Sequence, residues 1–64
     1  MTNQEMIDLT AKNYGVKSDD VVIKEILMND NIAGASWSAD VHDKWVVCSY
    51  IDFNLVGRTL YCSK

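Results

Sequence analysis

His42 stands between Asp40 and Asp43, and an imidazole flanked by carboxylates is the arrangement in this sequence that could serve as a general base or as half of a metal site. Such chemistry also needs a nucleophile and a loop of donors for the developing charge, and neither lies near His42 in sequence. A solvated turn histidine is the expectation. Gly15, Gly34 and Gly57 are isolated, so no glycine-rich phosphate cradle is written here. Tetrahedral zinc takes about four ligands, whereas Cys48, Cys62, His42 and scattered carboxylates lack the close spacing of a zinc knuckle. The chain is read as non-enzymatic, with no catalytic residue, no cofactor and no metal.

Cys48 and Cys62 are the only cysteines, too few for the multi-bridge framework of a small secreted domain. In a reducing cytosol they are expected to be structural thiols, each packing as a small hydrophobe. Nine acidic residues against six basic ones give a net charge of -3, which disfavours binding that relies on neutralising phosphates. A basic protein surface suits this balance better than nucleic acid. The apolar runs are too short and too polar to span a bilayer, and the N-terminus has no basic region leading into an apolar core. A cytoplasmic location with no membrane partner is therefore expected.

Sixty-four residues are read as one domain, and a domain of this size buries only roughly 60% of its unfolded surface. There is room for a core but not for an enclosed active site. Hydrophobic content of 48% with 23% charged residues is that of a folded chain.

The elements that must position these residues are written clearly in places. Thr2 followed by Glu5 is a capping-box pair, so a helix is expected from residue 3 to Tyr14. Met6, Ile7, Thr10 and Tyr14 lie along one stripe, Ala11 at its edge, with Glu5, Asp8 and Lys12 opposite. Asp8 and Lys12 form a favourable i,i+4 pair, and Gly15 with Val16 supplies the stop. Residues 18–29 are ambiguous: β-branched Val21 to Ile23 favour a strand between two turns, while Ser18, Asp19 and Asp20 would also start a helix with Ile23, Ile26 and Leu27 on one face. The strand is preferred.

From Ala33 to Val41 the chain alternates, with Ala33, Ala35, Trp37, Ala39 and Val41 on one parity and Gly34, Ser36, Ser38 and Asp40 on the other. His42, Asp43 and Lys44 connect this strand to a second one, Trp45 to Phe53. Asn54 and Gly57 bracket a further turn before a short last strand, Arg58 to Ser63. The fold class is thus α+β: an N-terminal helix packed on a three- to four-stranded antiparallel meander. Ala33, Ala35 and Ala39 would face the helix, with Trp37, Trp45 or Val47, Ile51, Leu60 and Tyr14 filling the gaps. Strand Trp45 to Phe53 is apolar on both parities, and one helix cannot cover both faces, so pairing into a homodimer through the sheet is expected.

The last hairpin has two candidate registers. A three-residue loop over residues 54–56 sets Cys48 opposite Cys62, within disulfide reach. A two-residue turn at Leu55 and Val56 sets Ile51 opposite Leu60 and sends the cysteines to opposite faces. The second matches the apolar residues better, so two free thiols are expected.

In a meander, the loop with Asp19 and Asp20 and the turn with Asp40 and Asp43 fall at one end of the sheet. These four carboxylates are the candidate patch for steering onto a basic partner. Tyr50 and Tyr61, read as one exposed aromatic ladder, are the second candidate surface, while Trp37 and Trp45 are assigned to the core.

Ala11, Gly15, Val16 and Val21 resemble the alanine, turn glycine and following apolar positions of a helix-turn-helix, which would imply a DNA-binding regulator. The segment that would be its recognition helix departs from that pattern, carrying Asp19, Asp20 and Glu25 against Lys24 alone. In size and charge the chain resembles small phage and mobile-element proteins that block bacterial defence complexes, anti-CRISPR proteins among them. The preferred function is accordingly a small acidic protein-binding inhibitor or adaptor. A small-molecule-binding oligomer, with Trp37 or Tyr50 stacking on a ligand, is the third reading.

Overall fold

A computed structural model describes residues 1–51 and 57–63. Helix α1 spans Asn3–Tyr14, a single 3₁₀ turn covers Ser18–Asp20, and four strands follow: β1 Val21–Asp30, β2 Gly34–Val41, β3 Lys44–Ile51 and β4 Thr59–Cys62. The strands form one antiparallel sheet in the order β1-β2-β3-β4, with α1 on one face. The α+β meander is as expected. Phe53, Asn54 and the turn at Leu55 and Val56 lie outside the described residues.

The ends of α1 follow from local chemistry. Thr2 Oγ1 accepts from the Glu5 N–H at 3.1 Å, and the Glu5 carboxylate accepts from the Thr2 N–H at 2.9 Å; the Thr2 donors hold the Glu5 carboxyl below its usual range. At the other end Gly15 is left-handed, with φ 67°, and Val16 N–H reaches the Ala11 carbonyl at 3.0 Å, which closes the helix. Asp8 does not pair with Lys12 as expected. It accepts instead from Gln4 Nε2 at 2.9 Å and from Ser18 Oγ at 3.0 Å, joining the helix to the 3₁₀ turn.

Residues 21–30 are a strand, and its irregularity explains the helix-like spacing of its apolar residues. Val21, Ile23 and Ile26 pair with Val41, Ala39 and Trp37, with register shifts between Ile23 and Glu25 and between Ile26 and Met28. Each bulge adds a residue, so the apolar spacing stretches from two to three and imitates a helical period. The absence of a second helix here removes the framework of a helix-turn-helix.

The core lies between α1 and the sheet: Met6, Thr10 and Ala11 from the helix meet Val21, Ala35, Trp37, Ala39, Val41, Val46 and Cys48. Ala35 and Ala39 are small enough to let the helix approach, and Trp37 fills the space between them. The buried Thr10 hydroxyl is satisfied twice, donating to the Met6 carbonyl at 2.7 Å and accepting from Trp37 Nε1 at 2.8 Å. Ala33 is not part of this face; it sits exposed in the β1–β2 turn. In that turn the N–H groups of Ala33 and Ile32 donate to Asp30 Oδ1 at 3.0 and 2.6 Å and hold its carboxyl below the usual range.

Two expectations are overturned by turn length. The connection between β2 and β3 contains only His42 and Asp43, so Val41 pairs with Lys44, Ala39 with Val46 and Trp37 with Cys48. Val46, Cys48 and Tyr50 therefore share the helix side with the alanines. Trp45, Val47 and Ile51, expected there, fall on the opposite face, and Trp45 is 65% exposed instead of buried. The last hairpin takes the register of the longer loop: Cys48 pairs with Cys62 and Tyr50 with Leu60. Cys48 and Cys62 are joined in a disulfide, correcting the expectation of two thiols.

β4 is held at its end by a second device. Val47 N–H donates to Ser63 Oγ at 2.8 Å and the Ser63 N–H donates to the Val47 carbonyl at 2.8 Å. The Ser63 carbonyl is thereby left to accept from the Tyr14 hydroxyl, which ties the end of α1 to the end of the sheet. Burial pushes the Tyr14 hydroxyl above its usual pKa.

Candidate functional site

The β1–β2 register sets Val21 opposite Val41 and Val22 opposite Asp40, which brings the 3₁₀ turn beside the β2–β3 turn. Asp19, Asp20, Asp40 and Asp43 are thus gathered at one end of the sheet, but they are not four equivalent charges. Asp20 Oδ2 lies 3.2 Å from His42 Nε2, and Asp40 Oδ2 lies 3.4 Å from Lys24 Nζ, both pairs in solvent. Exposed pairs of this kind contribute little to folding but reduce the local field. Among the described residues Asp19 and Asp43 form no ion pair, so they carry most of the uncompensated charge. His42 has an aspartate partner and sits on an exposed turn. Among the described residues no group of three or more His, Cys, Asp and Glu side chains could hold a metal ion.

The β2–β3 turn is unusual in its residues. His42 and Asp43 have φ of 49° and 65°, the geometry of a type I′ hairpin turn, in which both central positions favour Asn and Gly. Asp43→Gly is expected to raise the unfolding free energy by about 1 kcal/mol and the melting temperature by roughly 4–8 °C. Thermal unfolding followed by circular dichroism measures this; a lower melting temperature would mean that the turn is not of this type.

The second surface is the sheet face away from α1. Its register places Val22, Asp40 and Trp45 in one row, Glu25, Ser38 and Val47 in the next, and Met28, Ser36, Ser49 and Tyr61 in a third. Ser36 and Ser49 bond to each other across the strands at 2.9 Å. Met28 and Tyr61 flank these serines, and Val22, Trp45 and Tyr61 on this face are each at least half exposed. Among the described residues no helix lies on this face.

The expected aromatic ladder is not formed. Tyr61 pairs with Ser49 on the open face, whereas Tyr50 pairs with Leu60 and packs against the core on the helix side. Trp37 is fully buried and bonded to Thr10, so it cannot stack on a ligand. Trp45 is the open-face residue that sequence reasoning missed. The signal was the length of the turn before it, because one residue fewer in that turn reverses the side on which Trp45 emerges.

No helix among the described residues is long and apolar enough to cross a membrane. Comparison with family models, curated proteins and solved structures gives no match for this chain, so its function is argued from these surfaces alone.

Proposed function

We propose that this chain is a small, acidic, non-enzymatic protein-binding module that docks through the open face of its sheet onto a larger protein with a basic surface. The reading extends to an inhibitor or adaptor of the phage-encoded, anti-CRISPR-like kind. The observation that carries it is Trp45, a large aromatic side chain 65% exposed on the uncovered face of the sheet, in the row next to the β2–β3 turn. Val22 and Tyr61 widen the apolar area, and the charges of Asp19 and Asp43 lie at the same end of the sheet as Trp45. An aromatic anchor beside an acidic edge suits a partner whose apolar pocket is rimmed by Lys or Arg. A homodimer through the same face is the second occupant this surface accommodates.

The expected result is that the tagged chain captures one stoichiometric protein and that Trp45→Ser weakens the complex by tenfold or more, about 1.4 kcal/mol or above, with little change in melting temperature. Asp19→Lys should slow association several-fold at low salt and have a smaller effect at high salt. Surface-based kinetics at two salt concentrations measure both effects. Equal affinity for Trp45→Ser and the parent chain would remove the open face from the interface. Light scattering that shows a dimer abolished by Trp45→Ser would assign the face to self-association instead.

A further inference from the structure

On the helix side of the sheet, beneath the β2–β3 turn, a cavity of about 290 Å³ is lined by Tyr14, Val16, Val41, His42, Lys44 and Val46. It exists because α1 stops at Tyr14 and Gly15 turns the chain away, while β2 and β3 run on to the turn. Val41 and Val46 are themselves buried, and with Val16 and the Tyr14 ring they make the walls apolar. Lys44 pairs with Val41 on this side of the sheet and is the basic side chain among the residues that line the cavity. Among the described residues Lys44 makes no ion pair, and it is one of only six basic residues in a chain of net charge -3.

We propose that this cavity binds a small amphipathic monocarboxylate, with its hydrocarbon body against Val16, Val41, Val46 and Tyr14 and its carboxylate at Lys44. The charge pattern selects this class. His42 is already engaged by Asp20, and Asp43 follows it in the turn, so a single cation remains for the head group. That arrangement suits one negative charge and disfavours a doubly charged phosphate. A neutral ligand would forgo Lys44, and a cationic one would be repelled by it. The turn supports the same reading: His42 is held at positive φ at the rim, where Asn and Gly would suit the backbone better.

The test uses octanoate, 1-octanol and octylammonium on the intact disulfide-bonded chain, followed by amide chemical shifts in ¹H–¹⁵N spectra. Octanoate is expected to give saturable shifts at Val16, Val41, His42, Lys44 and Val46, with octanol at least about tenfold weaker and octylammonium weaker still. Lys44→Gln should reduce octanoate affinity about tenfold. Val16→Trp, a substitution outside the helix and strands, should fill the cavity and abolish the shifts, its fold checked by circular dichroism. Trp45→Ser should leave octanoate binding unchanged, which separates this site from the open face. Equal shifts from all three ligands, shifts centred on Trp45 and Tyr61, or no saturation would each overturn the proposal.

Discussion

Removing the Cys48–Cys62 bond, by reduction or by Cys62→Ser, is expected to lower the unfolding free energy by about 3 kcal/mol. The bond closes a loop with a sequence separation of 14, and the chain-entropy account assigns about that much to a loop of this length. Two features make the loss severe here. β4 has four residues and pairs with β3 alone, so the bond and the contacts of Ser63 are what hold it. A domain this small has only about 3–5 kcal/mol to lose. Cys62 is the position to change because Cys48 is completely buried, and a serine there would bury a hydroxyl as well. Urea denaturation with and without reductant gives the difference directly. Thiol titration of the denatured, unreduced protein should find none, and an unchanged midpoint after reduction would show that the bond does not support the fold.

Trp37→Ala is expected to cost about 4 kcal/mol, enough to unfold most of the population at room temperature. Trp37 is fully buried at the centre of the sheet, and its loss leaves a void under α1 as well as removing the Nε1 bond to Thr10. Trp37→Phe retains most of the volume and should cost about 1–2 kcal/mol, much of it through the lost bond to the buried hydroxyl. Trp45→Ala should change stability by less than about 1 kcal/mol, because that side chain already stands in water. Far-ultraviolet circular dichroism and denaturant midpoints for the three variants test the side assignment of the two tryptophans. A folded Trp37→Ala beside an unfolded Trp45→Ala would mean that the faces are exchanged.

The contrast between the tryptophans shows how far the sequence reaches. Both lie in strands, β2 marked by its alternation and β3 by its β-branched and aromatic residues, and the indole itself does not say which of the two meets the helix. Trp37 could be placed because the alanines of its own parity mark the face that a helix can approach. Trp45 could not, because its side depends on how many residues turn the chain between β2 and β3. Counting His42, Asp43 and Lys44 as the connection aligns odd residues with odd ones; the observed pairing of Val41 with Lys44 aligns odd with even. The same one-residue difference in the last hairpin separates two thiols from a disulfide.

The candidate surfaces divide in the same manner. The meander order alone was enough to bring Asp19, Asp20, Asp40 and Asp43 to one end, since alternate connections share an end whatever the register. Which of those charges are compensated depended on Lys24 and His42 reaching Asp40 and Asp20 through space. Tyr50 and Tyr61 were separated by the register of β3 and β4.

The sequence by itself determined the elements whose causes are local. The capping box of Thr2 and Glu5, the stop at Gly15, the β-branched content of β1 and β3 and the alternation of β2 each act over a few residues, and together they specify a helix followed by an antiparallel sheet. Tertiary structure decided which side of each strand is buried. A strand presents two faces, and a one-residue change in a turn exchanges them all at once. That choice was made where His42 and Asp43 adopt positive φ without glycine, a conformation neither residue prefers in isolation. The burial of Val41, Val46 and Cys48 against α1 is what holds them there.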